Sequence, residues 1–74
     1  MKDFTIGNRV KLARVEKNMT QQDLADLIGV ARQTIGLIEA RKYNPTLKLC
    51  LSIAKVVDKK LDYLFWIEGQ GDEE

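Results

Sequence analysis

The sequence has no histidine, one cysteine and one serine among its 74 residues. Catalytic centres that pair a serine or a cysteine with histidine are therefore excluded, and so are zinc sites built from histidine and cysteine. Cys50 has no second cysteine in the chain with which to form a disulfide bond. The chain is also about half the usual length of a domain. We therefore expect one small module that is not an enzyme and uses no cofactor, metal or small-molecule substrate.

Long apolar segments are missing as well. The longest run, Leu64-Phe65-Trp66-Ile67, is far shorter than the roughly 20 residues that a membrane-spanning helix needs. Residues 1–5 do not form the apolar core of a signal peptide. We therefore expect a cytoplasmic protein without a membrane partner.

The net charge of +1 hides an uneven distribution. Residues 1–60 contain all 12 Lys and Arg residues and six acidic ones, a balance of +6. Residues 61–74 contain five acidic residues and no Lys or Arg, a balance of −5. A basic body of this kind suits an anionic partner such as a nucleic acid, and the sequence places an acidic segment after it.

Residues that interrupt helices are sparse, since proline occurs once, at Pro45, and glycine five times. Thr20 and Thr46 are of the type that caps the start of a helix, and Gly29 suits the left-handed conformation that ends one. Alternating β-branched residues, which are typical of strands, are nearly absent. These signals predict five helices, at about residues 6–17, 21–28, 31–40, 47–57 and 61–65.

The apolar residues of these segments recur at the spacing of one helical face, as Ile6, Val10 and Ala13 do in the first helix. Such faces pack together to form the core of a helical bundle. The predicted core consists of Ile6, Val10, Ala13, Leu24, Ala25, Ile28, Ile35, Ile38, Leu47, Cys50, Ile53, Ala54 and Val57.

The most informative segment is QQDLADLIGVARQTIGLIEA, residues 21–40. Two short helices joined by a glycine-containing turn must cross at a steep angle. Ala25 supplies a small side chain where the helices come close, and Gly29 follows four residues later where the chain must turn. Val30 then fits as a buried turn residue. The segment thus meets each demand of a helix-turn-helix.

The sequence resembles the lambda repressor and Cro type of helix-turn-helix domain, often called the Xre family. The resemblance extends from NRVKLAR in the first helix, through MTQQDLADLIGVARQTIGLIE and KYNPTLKL, to IAKVVDKKLDYLF near the end. It implies an all-α bundle of five helices over residues 5–67, followed by an acidic flexible tail at residues 68–74. Some small relatives add a strand from each terminus, so a pairing of residues 2–5 with residues 66–68 stays open.

In that family the third helix lies in the DNA major groove, with its first residues on base edges. Arginine can make a bidentate bond to guanine, glutamine can do the same with adenine, and leucine can contact a thymine methyl group. A missing side chain at Gly36 would permit close approach to a base pair. The resemblance therefore implies base contacts by Arg32, Gln33, Gly36 and Leu37.

Phosphate contacts are expected at the start of the second helix and in the loop after the third. At the place of Arg41 the family often has glycine, so the loop departs from the common form and gains a cation. The implied phosphate-binding residues are Gln21, Thr34, Arg41, Lys42, Tyr43 and Asn44.

Two structural features are also expected, the first of them implied by the resemblance. Arg14 and Glu39 match positions at which an ion pair links the first helix to the end of the third. A fifth helix this short cannot bury both of its faces, so a large apolar group should stay exposed on a monomer and be covered by a second copy. We expect a homodimer interface that contains Phe65, Trp66 and Ile67.

Together these inferences predict a sequence-specific transcriptional regulator. The first hypothesis is a repressor that binds a palindromic operator as a homodimer, with double-stranded DNA as its partner. The alternative keeps the fold but changes the partner: an antitoxin or adaptor that binds another protein through Leu37 or through residues 65–67.

Overall fold

Five helices and two short strands make up residues 5–68, the part of the chain that the computed structural model describes. None of the helices in this range is long and apolar enough to cross a membrane. Residues 2–4 and 69–74, which enter the predictions of a strand and of a tail, lie outside the described residues. The elements in chain order are β1 Thr5–Asn8, α1 Val10–Glu16, α2 Gln21–Ile28, α3 Arg32–Glu39, α4 Leu47–Val57, α5 Leu61–Leu64 and β2 Phe65–Glu68.

The first helix begins at Val10, so the prediction that it starts at residue 6 is wrong. Asn8 is the last residue of β1, and its side-chain oxygen accepts a hydrogen bond at 3.1 Å from the N–H of Val10, the first residue of α1. Its side-chain nitrogen also donates to the carbonyl oxygen of Ile38 at 2.8 Å. These two bonds fix the chain at the junction and leave Ile6 in a strand.

The two strands pair antiparallel, with Thr5 opposite Glu68 and Ile6 opposite Ile67. A terminal strand pair therefore exists, and within the described residues its first strand is Thr5–Asn8, so it extends past the predicted end at residue 5. Glu68, which we assigned to the tail, is the last residue of β2. Phe65 has extended dihedral angles, so α5 ends at Leu64, one residue earlier than predicted.

In the sheet, the indole of Trp66 packs against its cross-strand neighbour Gly7. A Cβ atom at Gly7 would lie 2.7 Å from indole atoms of Trp66 and from a carboxylate oxygen of Glu68. Only glycine lets the indole cross the backbone at this distance. The Arg9 guanidinium lies 4.5 Å from the Trp66 ring centroid and 4.6 Å from that of Tyr63, so the indole is fixed between strand and cation.

We expect Gly7→Ala to lower the free energy of unfolding by about 1–3 kcal/mol, because an added methyl group must displace the indole. Gly36→Ala is the matched control, since its nearest neighbour, Gln21, would be 3.8 Å from the added Cβ. That change should raise the unfolding free energy by about 1 kcal/mol through helix propensity. Urea unfolding of both variants measures the difference; equal effects would show that the indole contact is not tight.

The helices pack around a core of ten buried apolar residues, in which Leu24, Ile35, Ile53 and Leu64 are fully buried. Four predicted core residues are not buried. Ile28 and Cys50 are half-buried, Ile6 lies half-buried in β1, and Leu47 is 65% exposed because it begins α4 at the edge of the bundle. The predicted residues that do form the core are Val10, Ala13, Leu24, Ala25, Ile35, Ile38, Ile53, Ala54 and Val57.

Helix ends follow the side chains available to them. Thr20 caps α2 in a reciprocal arrangement with Asp23, and the Thr46 hydroxyl accepts from the Leu49 N–H at the start of α4. After α3, Arg41 adopts a left-handed conformation, φ 64°. This conformation is about 1 kcal/mol less favourable for arginine than for glycine. The N–H groups of Arg41 and Lys42 donate to the carbonyl oxygens of Ile38 and Leu37 and so end the helix.

Candidate nucleic-acid interface

The turn between α2 and α3 sets the direction of α3. Gly29 ends α2 with φ 77°, a left-handed value that favours glycine. The N–H groups of Gly29 and Val30 both donate to the Ala25 carbonyl oxygen, at 2.8 and 3.0 Å. Ala25 is fully buried between the helices, and Leu24 and Ile35 are buried beside it. This packing fixes α3 with its opposite face toward solvent.

The outward face of α3 bears the residues predicted to contact bases. Arg32 and Gln33 are the first two residues of the helix, and both are exposed. Gly36 and Leu37 lie one turn further along the same face, with Leu37 at 43% exposure and Gly36 half-buried. The structure thus brings all four positions to one surface.

The side chain of Arg32 is oriented by Gln21 of α2. Its Nη1 donates to the Gln21 side-chain oxygen at 3.2 Å, and the Gln21 side-chain nitrogen donates to a Glu39 carboxylate oxygen at 3.0 Å. Gln21 was predicted to contact a phosphate. Its amide is instead engaged inside the protein, although the NH₂ group has a second hydrogen for an outside acceptor.

Arg14 and Glu39 form an ion pair below this surface. Arg14 Nε lies 2.8 Å from one Glu39 oxygen and its Nη2 lies 3.2 Å from the other, while Nη1 donates to the Met19 carbonyl oxygen at 2.8 Å. The side chains are only 9% and 7% exposed. With the bond from Gln21, the Glu39 carboxylate joins α1, α2 and α3 at one point.

The loop after α3 exposes Lys42, Tyr43 and Asn44, and Thr34 is half-buried on α3. Arg41 is oriented differently from this group. Its guanidinium forms an ion pair with Glu68 of β2, so the structure does not place it among the other residues predicted to bind phosphate. The left-handed backbone of Arg41 and the position of β2 determine this orientation, and the sequence indicated neither.

A second surface is formed by one face of the two-stranded sheet of β1 and β2. Ile6, Phe65 and Ile67 share one face of it and border an open, largely apolar groove of about 550 Å³, which is also lined by Leu47, Cys50, Leu61, Asp62 and Trp66. Ile67 is 68% exposed and Phe65 is half-buried against the core. Trp66 is half-buried, and its indole also packs against Gly7 and Arg9. Burial raises the pKa of the Cys50 thiol above its ordinary value.

Sequence reasoning missed Asn8, Arg9 and Glu68, the residues that tie the sheet to the bundle. Asn8 bonds the end of α3, Arg9 stacks on two aromatic rings, and Glu68 pairs with Arg41. The aromatic and β-branched run at residues 65–67 has the composition of a strand and was the available signal. The partners of that strand are distant in the sequence and could not be inferred from local pattern.

A family model described as Helix-turn-helix matches residues 10–64 of the chain. The chain belongs to the helix-turn-helix family. MJ0272, an uncharacterized HTH-type transcriptional regulator of Methanocaldococcus jannaschii, is 48% identical over 61 residues, which are 82% of this chain and 92% of the relative. The immunity repressor protein of Bacillus phage phi105 is 36% identical over 51 residues, 69% of this chain and 35% of the repressor.

A solved structure gives the same assignment. The restriction-modification controller protein C.AhdI from Aeromonas hydrophila matches this helix-turn-helix protein with a TM-score of 0.72 and 32% identity, over 77% of this chain and 86% of C.AhdI. The resemblance to the Xre family and the fold class are therefore confirmed. This helix-turn-helix protein has the fold of a DNA-binding transcriptional regulator.

Proposed function

We propose that this helix-turn-helix protein is a sequence-specific repressor that binds a palindromic operator as a homodimer. The observation that supports this most directly is the exposed pair Arg32 and Gln33 at the start of α3. In the helix-turn-helix geometry, the start of α3 enters the major groove of DNA while α2 crosses the DNA backbone. The helix is held by buried contacts on its inner face, so its outer face can be presented rigidly.

The chemistry of that face suits base contacts. The Arg32 guanidinium can bond to O6 and N7 of a guanine, and the Gln33 amide can bond to N6 and N7 of an adenine. Leu37 offers a methyl-rich surface for a thymine, and Gly36 leaves room for a base pair to approach. These roles divide the surface into two hydrogen-bonding positions at the helix start and an apolar position one turn later.

Contacts to the DNA backbone are assigned to residues around α3. Lys42, Tyr43 and Asn44 are exposed in the loop, Thr34 is half-buried on α3, and Gln21 at the start of α2 is bonded to the Arg32 side chain. If about four to six phosphates are neutralised per subunit, the logarithm of the binding constant falls with the logarithm of salt concentration with a slope near −0.9 per contact. Bound in this way, the protein would block access to a promoter, which is how a repressor without catalytic function acts.

The proposed homodimer uses the apolar groove beside β2. Ile67 and Leu47 are 68% and 65% exposed, and apolar side chains grouped on one surface mark an interaction site. A second copy would cover this surface and place a second α3 for the other half-site, roughly 10 bp away. Phe65 and Trp66 also line this groove and are half-buried, so each keeps surface that a second copy would cover.

We expect Ile67→Lys to convert the dimer to a monomer, because a charge would have to be buried in the apolar interface. Leu12→Lys is the matched control, since Leu12 is 52% exposed on α1, away from this groove. Sedimentation at micromolar concentration measures both variants beside the native protein. A native protein that is monomeric yet binds its operator with full affinity would rule out the dimer.

Selection of bound DNA from a random pool, followed by titration at several salt concentrations, tests the proposed function. We expect a two-fold symmetric consensus and a steep salt dependence. Recovery of no consensus, with weak binding to all sequences, would contradict it.

The second candidate, an antitoxin or adaptor, is favoured by two exposed apolar residues that could contact a protein partner, Leu37 of α3 at 43% exposure and Ile67 of β2 at 68%. Arg32→Glu separates the two functions. A regulator loses operator binding through repulsion of the phosphates, whereas a protein that acts only through a protein partner keeps its activity.

A further inference from the structure

Arg41 occupies a backbone position that favours glycine. It follows α3 in the left-handed conformation, and its N–H donates to the Ile38 carbonyl oxygen at 3.0 Å while the next N–H, of Lys42, donates to Leu37 at 2.9 Å. This helix end needs only the backbone, and arginine is less favourable there than glycine. A disfavoured conformation at a surface position points to a role for the side chain.

The side chain of Arg41 is paired with the Glu68 carboxylate of β2. The two side chains are 42% and 33% exposed, so water and ions reach the pair. An exposed pair of this kind is weak and exchanges partners readily. A phosphate group presents the same anionic oxygens to a guanidinium as a carboxylate does.

The neighbours of Arg41 make DNA phosphate the relevant competitor. Lys42, Tyr43 and Asn44 follow it directly and are exposed in the loop that we assign to the DNA backbone. Arg41 directly precedes these residues in the chain, and its left-handed backbone and its pairing with Glu68 direct the guanidinium toward β2. Glu68 is itself held in place, because β2 pairs it with Thr5.

We propose that Glu68 is an internal competitor of DNA phosphate for Arg41. By occupying the guanidinium, the carboxylate removes one cation from the DNA-binding surface and lowers affinity for all sequences alike. Base contacts by α3 are unaffected, so the ratio of specific to non-specific binding is set by α3 while the absolute affinity is reduced by Glu68. This inference rests on the proposed DNA binding and assigns an additional residue to its control.

Glu68→Gln tests the proposal because it removes the charge and keeps the size of the side chain. Freed from the carboxylate, Arg41 should bind a phosphate, so affinity for both operator and random DNA should rise about 3- to 10-fold at 0.1 M salt, with a slope steeper by about 0.9. In the Arg41→Gly background the same change should have no effect, since its target is absent. Thermal melting of each variant verifies that it is folded.

Glu16→Gln is the matched control. It makes the same change in net charge, but Glu16 pairs with Lys59 at 2.9 Å and lies on α1. Because 0.1 M salt screens interactions between exposed charges beyond about 10 Å, the effect of Glu16→Gln on DNA affinity should be small. The proposal is overturned if Glu68→Gln behaves as Glu16→Gln does, or if it lowers affinity. A native protein with no salt-dependent DNA binding would instead overturn the proposed function, before any variant is compared.

Discussion

Glu39→Ala is expected to lower the free energy of unfolding by about 3–5 kcal/mol, a large part of the stability of a domain this small. The change leaves the Arg14 guanidinium, whose side chain is 9% exposed, without its carboxylate partner. It also removes the acceptor of the Gln21 amide. Because an unpaired buried charge costs far more than the pair contributes, the loss should exceed that of any surface ion pair.

Urea unfolding of Glu39→Ala measures this loss, and Glu16→Ala serves as the control. Glu16 pairs with Lys59, whose side chain is 30% exposed, and its own is 47% exposed. Breaking that exposed pair should cost less than about 1 kcal/mol. If the two variants lose similar amounts, the Arg14–Glu39 pair does not join the helices as we describe. A double variant, Arg14→Met with Glu39→Leu, should lose less than the sum of the single changes, since no lone charge remains.

Arg32→Ala should reduce affinity for the operator by roughly 5- to 150-fold, about 1–3 kcal/mol, and should relax the base preference at one position of each half-site. The native fold should be unaffected, within about 0.5 kcal/mol of unfolding free energy, because Arg32 is exposed and bonds only the Gln21 side chain among the described residues. Loss of operator binding would therefore report on base contact and not on folding.

Lys42→Ala is the comparison for this prediction. Lys42 is exposed in the loop, and a phosphate contact there should weaken binding to all sequences equally and reduce the salt slope by about one. Arg32→Ala should thus change base preference, whereas Lys42→Ala should lower affinity without changing base preference. Equal effects of both changes on operator and random DNA would show that α3 is not the helix that contacts bases.

The helix-turn-helix could be predicted because its determinants are local. Thr20 caps α2 with Asp23 three residues later, and Gly29 ends the helix where a left-handed residue is required. The fold class followed from these signals together with the spacing of the apolar residues. The family match to residues 10–64 confirms this part of the prediction.

The strand pair was harder to predict because Ile6 fits two patterns. Its spacing from Val10 and Ala13 matches a helical face, yet in the structure it pairs with Ile67, which lies 61 positions later in the sequence. At the end of β1 the Asn8 side chain donates to the Ile38 carbonyl oxygen, and no local pattern reveals so distant an acceptor. The register in which β1 pairs with β2 is determined by tertiary contacts.

The orientation of Arg41 has a similar cause. Its type and position after α3 indicated a phosphate contact, and only the structure places Glu68 within reach of its guanidinium. By contrast, the exposure of Arg32 and Gln33 could be predicted, since both follow from their positions on α3 relative to the inward Ile35 and Ile38. The predicted ion pair of Arg14 and Glu39, which links two helices, is present in the structure, whereas neither the bond from Gln21 to Glu39 nor the pair of Arg41 and Glu68 was predicted.

The most direct test of the central claim is selection of DNA from a random pool by the native protein and by Arg32→Ala in parallel. We predict that the native protein selects a two-fold symmetric site and that the variant selects the same site with the preference lost at one position in each half. An identical consensus from both proteins, with equal affinity, would contradict the assignment of α3 as the base-contacting helix.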